Sequence, residues 1–194
     1  MTRFWLVRHG QTDWNVSGRW QGQSPSAPGL NDSGLAQAQA LREQLRGLHF
    51  SAIYSSDLLR ARQTAALIAE PRGLAVTLEP RLREIHLGDW EGLLSAEILA
   101  RYPHELEERQ RDPLHARAPG GETVAGLALR VLAAAQEIAA HQPDAQVLIV
   151  AHGVALAVIL CQAAGVPLAE VYQHIPDHAR PVCIQQLPAA FRNL

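Results

Sequence analysis

The sequence contains no lysine: all 17 of its basic residues are arginine. Acidic residues number 19, which leaves a formal net charge of −2. No global positive field is therefore available to attract nucleic acid or an anionic membrane surface. Long polar and low-complexity tracts are also missing, which favours a folded core over disorder. Any positively charged site in this chain must be local.

Cysteine is scarce as well. Cys161 and Cys183 have no metal-ligand or redox spacing, so both are expected to fill the core as thiols. Near the N-terminus, Arg8 and His9 interrupt the apolar run before it reaches the length of a signal peptide, and no apolar run approaches the about 20 residues of a membrane span. We therefore expect a cytoplasmic protein with neither a membrane nor a nucleic acid as partner.

Short apolar runs recur along the chain and alternate with longer helical patterns. The runs RFWLV, AIYS, AVTL and VLIVA lack polar alternation, as expected of strands buried on both faces. A further run, VCIQQL, alternates partly and predicts an edge strand. Strands that alternate with helices predict an α/β fold of three layers, α/β/α, with a mostly parallel central sheet and one antiparallel edge strand.

The helical patterns carry recognisable ends. In LNDSGLAQAQALREQLRGL, Asn31 or Asp32 is predicted to cap the start and Gly47 to end the helix. Ser56 and Asp57 are predicted to begin the next helix. Two later helices are predicted behind the PGG sequence and directly after VLIVA.

The length of 194 residues fits one domain, so residues 1–194 are predicted to form a single unit. Residues 94–120 contain helical fragments interrupted by Pro103 and Pro113, followed by a charged stretch. We interpret this segment as a helical and loop excursion over the sheet rather than as a second domain.

Two of the predicted strands end alike, in LVRHG and IVAHG. Ligands bind at the carboxyl ends of parallel strands. If these two strands are neighbours, about 4.8 Å apart, His9 and His152 emerge side by side at that edge. The glycines that follow them, Gly10 and Gly153, are expected to allow a ligand close to the backbone N–H groups.

Arginines are expected to join the two histidines. Arg8 precedes His9 directly, and Arg60 is predicted about one turn into the helix that follows the AIYS strand. Guanidinium groups bind phosphate oxygens with paired hydrogen bonds. The cluster therefore predicts an anion pocket, and the expected anion is a phosphoryl group.

A carboxylate near this pocket indicates a catalytic site rather than a binding site alone. The sequence LREIHLGDWEG follows the third predicted strand and brings Glu84, with Asp89 and Glu91 as competing carboxylates. A carboxyl beside a phosphoryl group can protonate a departing alkoxide and later deprotonate water. That pairing is typical of hydrolysis in two steps.

Taken together, LVRHGQTDWN, RWQG, SSDLLRARQTA, LREIHLGDWEG, PGGET and VLIVAHG resemble, in order, the motifs of the histidine phosphatase superfamily, the phosphoglycerate mutase-like proteins. The resemblance implies the phosphoglycerate mutase-like fold and a metal-independent enzyme without cofactor, in which His9 becomes phosphohistidine. It implies that Glu84 is the proton donor. It also implies that the phosphoryl oxygens are held by Arg8, Asn15, Gln21, Arg60, His152 and Gly153.

Within the superfamily, the phosphatase branch fits best. The phosphoglycerate mutases carry an ERHYG-type sequence and a long basic insertion where this chain reads REIHLGDWEG and then a shorter segment. The leading hypothesis is a phosphomonoesterase for a small phosphorylated metabolite, and a homodimer is a family-level expectation. A cofactor-dependent phosphoglycerate mutase is the alternative, and a non-catalytic sensor of phosphorylated ligands is a third. The loop at residues 23–30 is about two residues longer than in many relatives, so their substrate cannot be carried over.

Overall fold

The structure, a computed structural model, describes residues 1–185. Its central sheet has five strands in the order β3-β2-β4-β1-β5. They are β1 (Arg3–Arg8), β2 (Ala52–Ser55), β3 (Val76–Leu78), β4 (Gln146–Ala151) and β5 (Pro181–Ile184). Neighbouring strands from β3 to β1 pair in parallel, and β5 pairs antiparallel with β1. The predicted mostly parallel sheet with one antiparallel edge strand is confirmed, although positions 186 and 187 of the VCIQQL run lie outside the described residues.

Seven α-helices surround this sheet in the described part of the chain. They are α1 (Asp13–Ser17), α2 (Asp32–Gln44), α3 (Leu59–Ala69), α4 (Ser95–Arg101), α5 (Pro103–Arg111), α6 (Val124–His141) and α7 (Gly153–Ala164). Short 3₁₀ segments occupy Glu70–Arg72, Pro80–Leu82, Gly88–Trp90 and Leu168–His174.

The strand β4 shows why the apolar runs lack polar alternation. Its residues Val147 and Ile149 belong to the core cluster that includes α6 and α7. The intervening Leu148 and Val150 belong to a second cluster, with side chains of α2 and α3. Successive strand residues face opposite sides of a sheet, so both faces must be apolar when helices cover both. Burying each such side chain contributes about 1.5–3 kcal/mol.

The predicted end of the second helix is wrong by a few residues. Asn31 is the cap, since its side chain accepts a hydrogen bond from the Gly34 N–H at 2.8 Å. The helix then ends at Gln44 rather than at Gly47. The capping residue Leu45 has φ −87°, so this end needs no left-handed glycine.

The third helix also starts later than predicted, at Leu59 and without a side-chain cap. The Ser56 hydroxyl accepts from the Leu58 N–H at 3.3 Å, just before the helix, and both Ser56 and Asp57 also contact residues outside it. The Ser56 hydroxyl lies 2.8 Å from Nε2 of His152, and the Asp57 carboxylate binds the Arg83 guanidinium. The two polar side chains therefore bind residues near the site rather than capping α3. Because α3 begins at Leu59, Arg60 is its second residue and does not lie one turn inside it.

One helix has the length and hydropathy of a membrane span, which the apolar runs of the sequence did not predict. By length and composition alone, α6, with 18 residues, could cross a membrane, and α7 taken together with the bent segment Leu168–His174 also passes that test. However, the apolar face of α6 belongs to the core, with Val124, Leu127, Val131 and Ile138 buried. The core packing accounts for this hydrophobicity.

The two cysteines differ in environment. Cys161 is buried in α7 as expected, but Cys183 is exposed on β5. The core prediction is wrong for Cys183 because an edge strand packs less completely than a central one.

The excursion at residues 94–120 contains α4 and α5. Tyr102 separates the two helices, and α5 begins at Pro103. Ile98 anchors this segment in the core, and Leu106 and Leu114 pack against the same cluster. The excursion is thereby fixed to the main body, and it carries residues of α5 toward the carboxyl edge of the sheet.

Candidate active site

The two histidines meet as the strand endings predict. Because β1 and β4 pair in parallel with Arg8 opposite Ala151, the next residues of both strands emerge together. The ring centroids of His9 and His152 lie 5.2 Å apart. Both side chains are buried, with exposures of 3% and 0%.

A cavity of about 320 Å³ opens at this edge. Its walls include six of the predicted residues: Arg8, His9, Asn15, Gln21, Arg60 and Glu84. His152 and Gly153 are not among its lining residues, although His152 packs against the ring of His9. The structure therefore gathers the predicted set around one cavity, with two members beside it.

Hydrogen bonds define the tautomer of His9. Its Nδ1 lies 2.7 Å from the carbonyl oxygen of Gly10, which can only accept, so Nδ1 carries the proton. Its Nε2 lies 3.1 Å from Nε of Arg60, which can only donate. The imidazole is thus neutral, and the lone pair of Nε2 faces the cation that lines the cavity.

Burial keeps both histidines neutral. Desolvation is the main cause that lowers the pKa of His9 well below 6.5, and the Arg60 charge adds to it. The pKa of His152 is lowered well below 6.5 by the same two causes in the same order. Burial also lowers the pKa of Arg60 to about 10, which still leaves its guanidinium charged at neutral pH.

These buried histidines make stability depend on pH. The unfolded chain takes up protons near pH 6.5 whereas the folded chain does not, so the stabilisation is complete above pH 6.5 and is lost as the pH falls below it. We expect the free energy of unfolding to fall by up to about 1.4 kcal/mol per pH unit for each histidine. Urea unfolding at pH 7.0, 6.0 and 5.5 measures this slope. His9→Gln should reduce it, and an unchanged slope in that variant would contradict the assignment.

His178 is a third histidine at the site, and no motif of the sequence marks it. Its ring centroid lies 5.3 Å from that of His9, and its Nδ1 donates to the His9 carbonyl oxygen at 2.8 Å. Next to it, the carbonyl of Pro176 accepts from Nη1 of Arg8 at 3.0 Å. Because β5 runs antiparallel to β1, it begins at the edge of the sheet where β1 ends. The residues just before an antiparallel edge strand are therefore expected at the ligand-binding edge.

Glu84 is the carboxylate that reaches the cavity. Its side-chain oxygens accept from the N–H groups of Val154 and Ala155, both at 3.2 Å, and from that of Ile85 at 3.0 Å. The carboxylate therefore sits at the N-terminus of α7, where the first N–H groups of the helix have no partner within the helix.

The competing carboxylates have other positions. Glu91 accepts from the N–H groups of Gln23 and Leu87 at 2.7 and 3.0 Å and so ties two loops together. Asp89 is exposed to solvent. Of the three candidates, only Glu84 lines the cavity.

Arg130 and Gln23 hold the backbone of Glu84, and neither was predicted from the sequence. The carbonyl of Glu84 accepts from Nη2 of Arg130 and from Nε2 of Gln23, each at 2.9 Å. Arg130 also forms a two-point ion pair with Glu122, at 2.8 Å for both contacts. The longer loop at residues 23–30 thus contacts the cavity wall through its first residue.

Asn15 and Gln21 differ in whether their side-chain oxygens already have hydrogen-bond partners. The side-chain oxygen of Asn15 accepts from the Thr12 N–H at 3.0 Å, which closes the capping box of α1. The Oε1 atom of Gln21 is buried and has no hydrogen-bond partner among residues 1–185. Asn15 therefore has a structural role besides lining the cavity, while Gln21 presents an unsatisfied polar atom.

Packing within the protein also requires the two glycines. A Cβ on Gly10 would lie 2.5 Å from the carbonyl oxygen of Gly34, so Gly10 is required for packing against α2. A Cβ on Gly153 would lie 3.0 Å from Ile175 and 3.5 Å from the guanidinium carbon of Arg8. Close approach of protein groups explains both glycines.

Part of the cavity wall comes from residues outside the predicted set. Trp20 and Tyr172 line it together with Arg109 of α5. Trp90 is fully buried and packs edge-to-face on Trp20, with ring centroids 5.6 Å apart. These contacts join distant parts of the chain, so no local sequence pattern marked them.

A neutral buried imidazole, two arginines and a carboxylate at a helix N-terminus, on the carboxyl edge of an α/β sheet, define a site for phosphoryl chemistry. The comparison with protein families agrees: residues 4–187 match the histidine phosphatase superfamily, branch 1. The chain belongs to this superfamily, as the motifs indicate, and relatives and solved structures named as phosphatases support a phosphatase enzyme.

Three relatives illustrate the range. Phosphoserine phosphatase 1 of Hydrogenobacter thermophilus is 34% identical over 179 residues, covering 92% of this chain and 84% of that protein. A probable phosphoglycerate mutase GpmB of Erwinia tasmaniensis is 38% identical over 176 residues, covering 86% and 77%. The crystal structure of the alpha-ribazole phosphatase from Shigella flexneri matches with a TM-score of 0.86 and 30% identity, covering 94% and 90%.

Proposed function

We propose that this protein is a metal-independent phosphomonoesterase that hydrolyses a small phosphorylated metabolite through a phosphohistidine at His9. The observation that carries the proposal is the arrangement of His9, whose unprotonated Nε2 faces Arg60 while its Nδ1 is fixed by the Gly10 carbonyl. This is the protonation state that a nitrogen nucleophile requires. A cavity of about 320 Å³ suits a small substrate.

In the first step, Nε2 of His9 attacks phosphorus and the bond to the ester oxygen breaks. For this attack the Nε–H of Arg60, which donates to Nε2 of His9 in the free protein, must donate to a phosphoryl oxygen instead, and Arg8 supplies the second guanidinium. The protonated form of Glu84 gives its proton to the departing alkoxide. The charges of the two arginines are already in place, so they stabilise the transition state with little reorganisation.

In the second step, the Glu84 carboxylate takes a proton from water, and the water oxygen attacks phosphorus. The bond between phosphorus and Nε2 breaks and phosphate leaves, which returns His9 to its neutral state. His152 can donate a hydrogen bond to the phosphoryl group if the Ser56 hydroxyl donates to its Nε2. In that tautomer Nδ1 carries the proton, and Nδ1 has no partner among the described residues. Gln21 and Asn15 complete the proposed phosphate contacts.

The alternative function, phosphoglycerate mutase, uses the same first step but must protect the phosphoenzyme from water. We expect the pure protein, incubated with 3-phosphoglycerate and bisphosphoglycerate, to release free phosphate rather than to accumulate 2-phosphoglycerate. Activity should persist with a chelator, because the arginines and the imidazole supply the required charges. Isomer formation without phosphate would favour the mutase, and binding of phosphate esters without any turnover would favour a sensor.

The location and assembly of the enzyme are also proposals. We propose a cytoplasmic enzyme that forms a homodimer and has neither a nucleic acid nor a membrane as partner, in line with the net charge of −2. Cell fractionation and light scattering of the pure protein test these points.

A further inference from the structure

The chain just before β5 contacts Arg8 and His9 at three points. The Pro176 carbonyl accepts from Nη1 of Arg8 at 3.0 Å, and the Ala179 N–H donates to the Arg8 carbonyl at 2.9 Å. Between these two contacts, Nδ1 of His178 donates to the His9 carbonyl at 2.8 Å. This short segment therefore holds the backbone of both residues.

The segment keeps these contacts in a conformation that alanine rarely adopts. Ala179 has a φ of 51°, in the left-handed region, and Asp144 is the only other non-glycine residue of the described chain with a positive φ. Aspartate enters this region more readily than alanine does. Backbone strain persists only where the surrounding contacts fix it, and it is concentrated at functional sites. The strained turn brings the neighbouring His178 side chain onto the His9 carbonyl.

The peptide between His9 and Gly10 is bound at both ends. Its oxygen accepts from His178, and its N–H donates to Oγ1 of Thr64 at 3.1 Å. Because a peptide group is planar, these two bonds fix its orientation. The carbonyl of Gly10 follows directly and lies 2.7 Å from Nδ1 of the His9 ring. His178 thus acts, through the backbone, on the contact that selects the His9 tautomer.

His178 has no place on the cavity wall, since it is not among the lining residues of the cavity. Its contacts at the site are with His9: the hydrogen bond to the carbonyl, and ring packing with centroids 5.3 Å apart at an angle of 57°. A role for His178 must therefore pass through the nucleophile, and the hydrogen bond and the ring contact can be removed separately.

We propose that His178 is a positioning residue: its Nδ1–H holds the peptide between His9 and Gly10, which keeps the His9 proton on Nδ1 and leaves Nε2 free to attack phosphorus. The inference rests on the proposed function and adds a residue to it. Without this bond the peptide can rotate, and both tautomers of His9 become populated. The loss falls on kcat, because Arg8 and Arg60 still bind the phosphoryl group.

The kinetic test uses His178→Asn and His178→Leu, which are nearly isosteric. Only asparagine has an N–H group at the position of Nδ1. We expect His178→Leu to lower kcat for p-nitrophenyl phosphate by about 10- to 100-fold with KM within about twofold, and His178→Asn to stay within about threefold of wild type. His178→Phe keeps a ring without the donor and should behave like His178→Leu.

His174→Phe is the matched control. His174 is also half-buried, four residues earlier, but it lies beside a separate cavity with Leu160 and Ala163. This variant should retain the kcat of wild type.

Heteronuclear NMR of the histidine ring nitrogens measures the His9 tautomer and needs no turnover. In wild type and His178→Asn, Nε2 of His9 should have the chemical shift of an unprotonated nitrogen and Nδ1 that of a protonated one. In His178→Leu both shifts should move toward those of a tautomer mixture. His178→Phe carries both measurements if His178→Leu does not fold.

An equal loss of kcat in His178→Asn and His178→Leu, or unchanged His9 shifts in His178→Leu, would overturn the inference and leave the phosphatase proposal intact. If the wild type does not hydrolyse p-nitrophenyl phosphate, the proposed function fails, and the His9 shifts alone decide whether His178 sets the tautomer.

Discussion

Replacing His9 with alanine is expected to lower kcat for phosphate esters by about 10⁴-fold or more, the scale of loss when a covalent nucleophile is removed. Water would then have to attack phosphorus directly, without the phosphohistidine that divides the reaction into two steps. The assay is phosphate release from p-nitrophenyl phosphate and from 3-phosphoglycerate, without added metal and with a chelator present.

Two controls separate this loss from misfolding. Arg8 and Arg60 remain in His9→Ala, so inorganic phosphate should still raise the melting temperature of the variant. His141→Ala changes an exposed histidine at the end of α6 and should retain wild-type activity. Full activity in His9→Ala, or loss of wild-type activity with the chelator, would rule out the proposed mechanism.

The second large effect is expected for Glu84→Gln. With its carbonyl oxygen at the position of Oε1, glutamine can still accept from the N–H groups of Ala155 and Ile85 and loses only the contact with Val154, so the wall of the cavity should keep its shape. Glutamine cannot transfer a proton, however, and turnover of 3-phosphoglycerate should fall by about 10²- to 10⁴-fold while KM changes little. Steady-state kinetics at several pH values provide the measurement.

A leaving group that needs no proton separates the two steps of the reaction in Glu84→Gln. The p-nitrophenolate ion departs without protonation, so Glu84→Gln should still phosphorylate His9 with p-nitrophenyl phosphate but should hydrolyse the phosphoenzyme slowly. Stopped-flow measurement should therefore show a burst of nitrophenol close to one equivalent per active site. Asp89→Asn alters the exposed neighbouring carboxylate and is the matched control. Wild-type kcat in Glu84→Gln, or a similar loss in Asp89→Asn, would contradict the role of Glu84.

The parts of the site that the sequence could predict are those that follow buried parallel strands. An apolar run that ends abruptly in Arg8 and His9 must reach the edge of the sheet there, and the same argument applies to His152. These residues depend only on local pattern and on the rule that ligands bind at the carboxyl edge of a parallel sheet.

Other parts depend on contacts between segments that are distant in sequence. His178 reaches His9 because β5 runs antiparallel and starts at the ligand edge. Arg109 reaches the cavity because Ile98 anchors the excursion in the core. Neither contact leaves a periodic signal, which is why both residues were missed.

Glycine shows a different limit. The sequence places Gly10 after the nucleophile and so indicates a need for space, but not what fills that space. In the structure it is the carbonyl of Gly34, at the start of α2, that a Cβ would meet. A tertiary packing requirement and a ligand requirement produce the same residue, and only coordinates separate them.

The central claim is that the phosphoryl group passes through His9. The most direct measurement is to mix Glu84→Gln with p-nitrophenyl phosphate, stop the reaction in alkali within the burst, and map the phosphorylated peptide by mass spectrometry. Our account predicts one alkali-stable, acid-labile phosphoryl group on the ring of His9, and none in the His9→Ala, Glu84→Gln double variant. Phosphate on another residue, or a burst without any phosphopeptide, would contradict it.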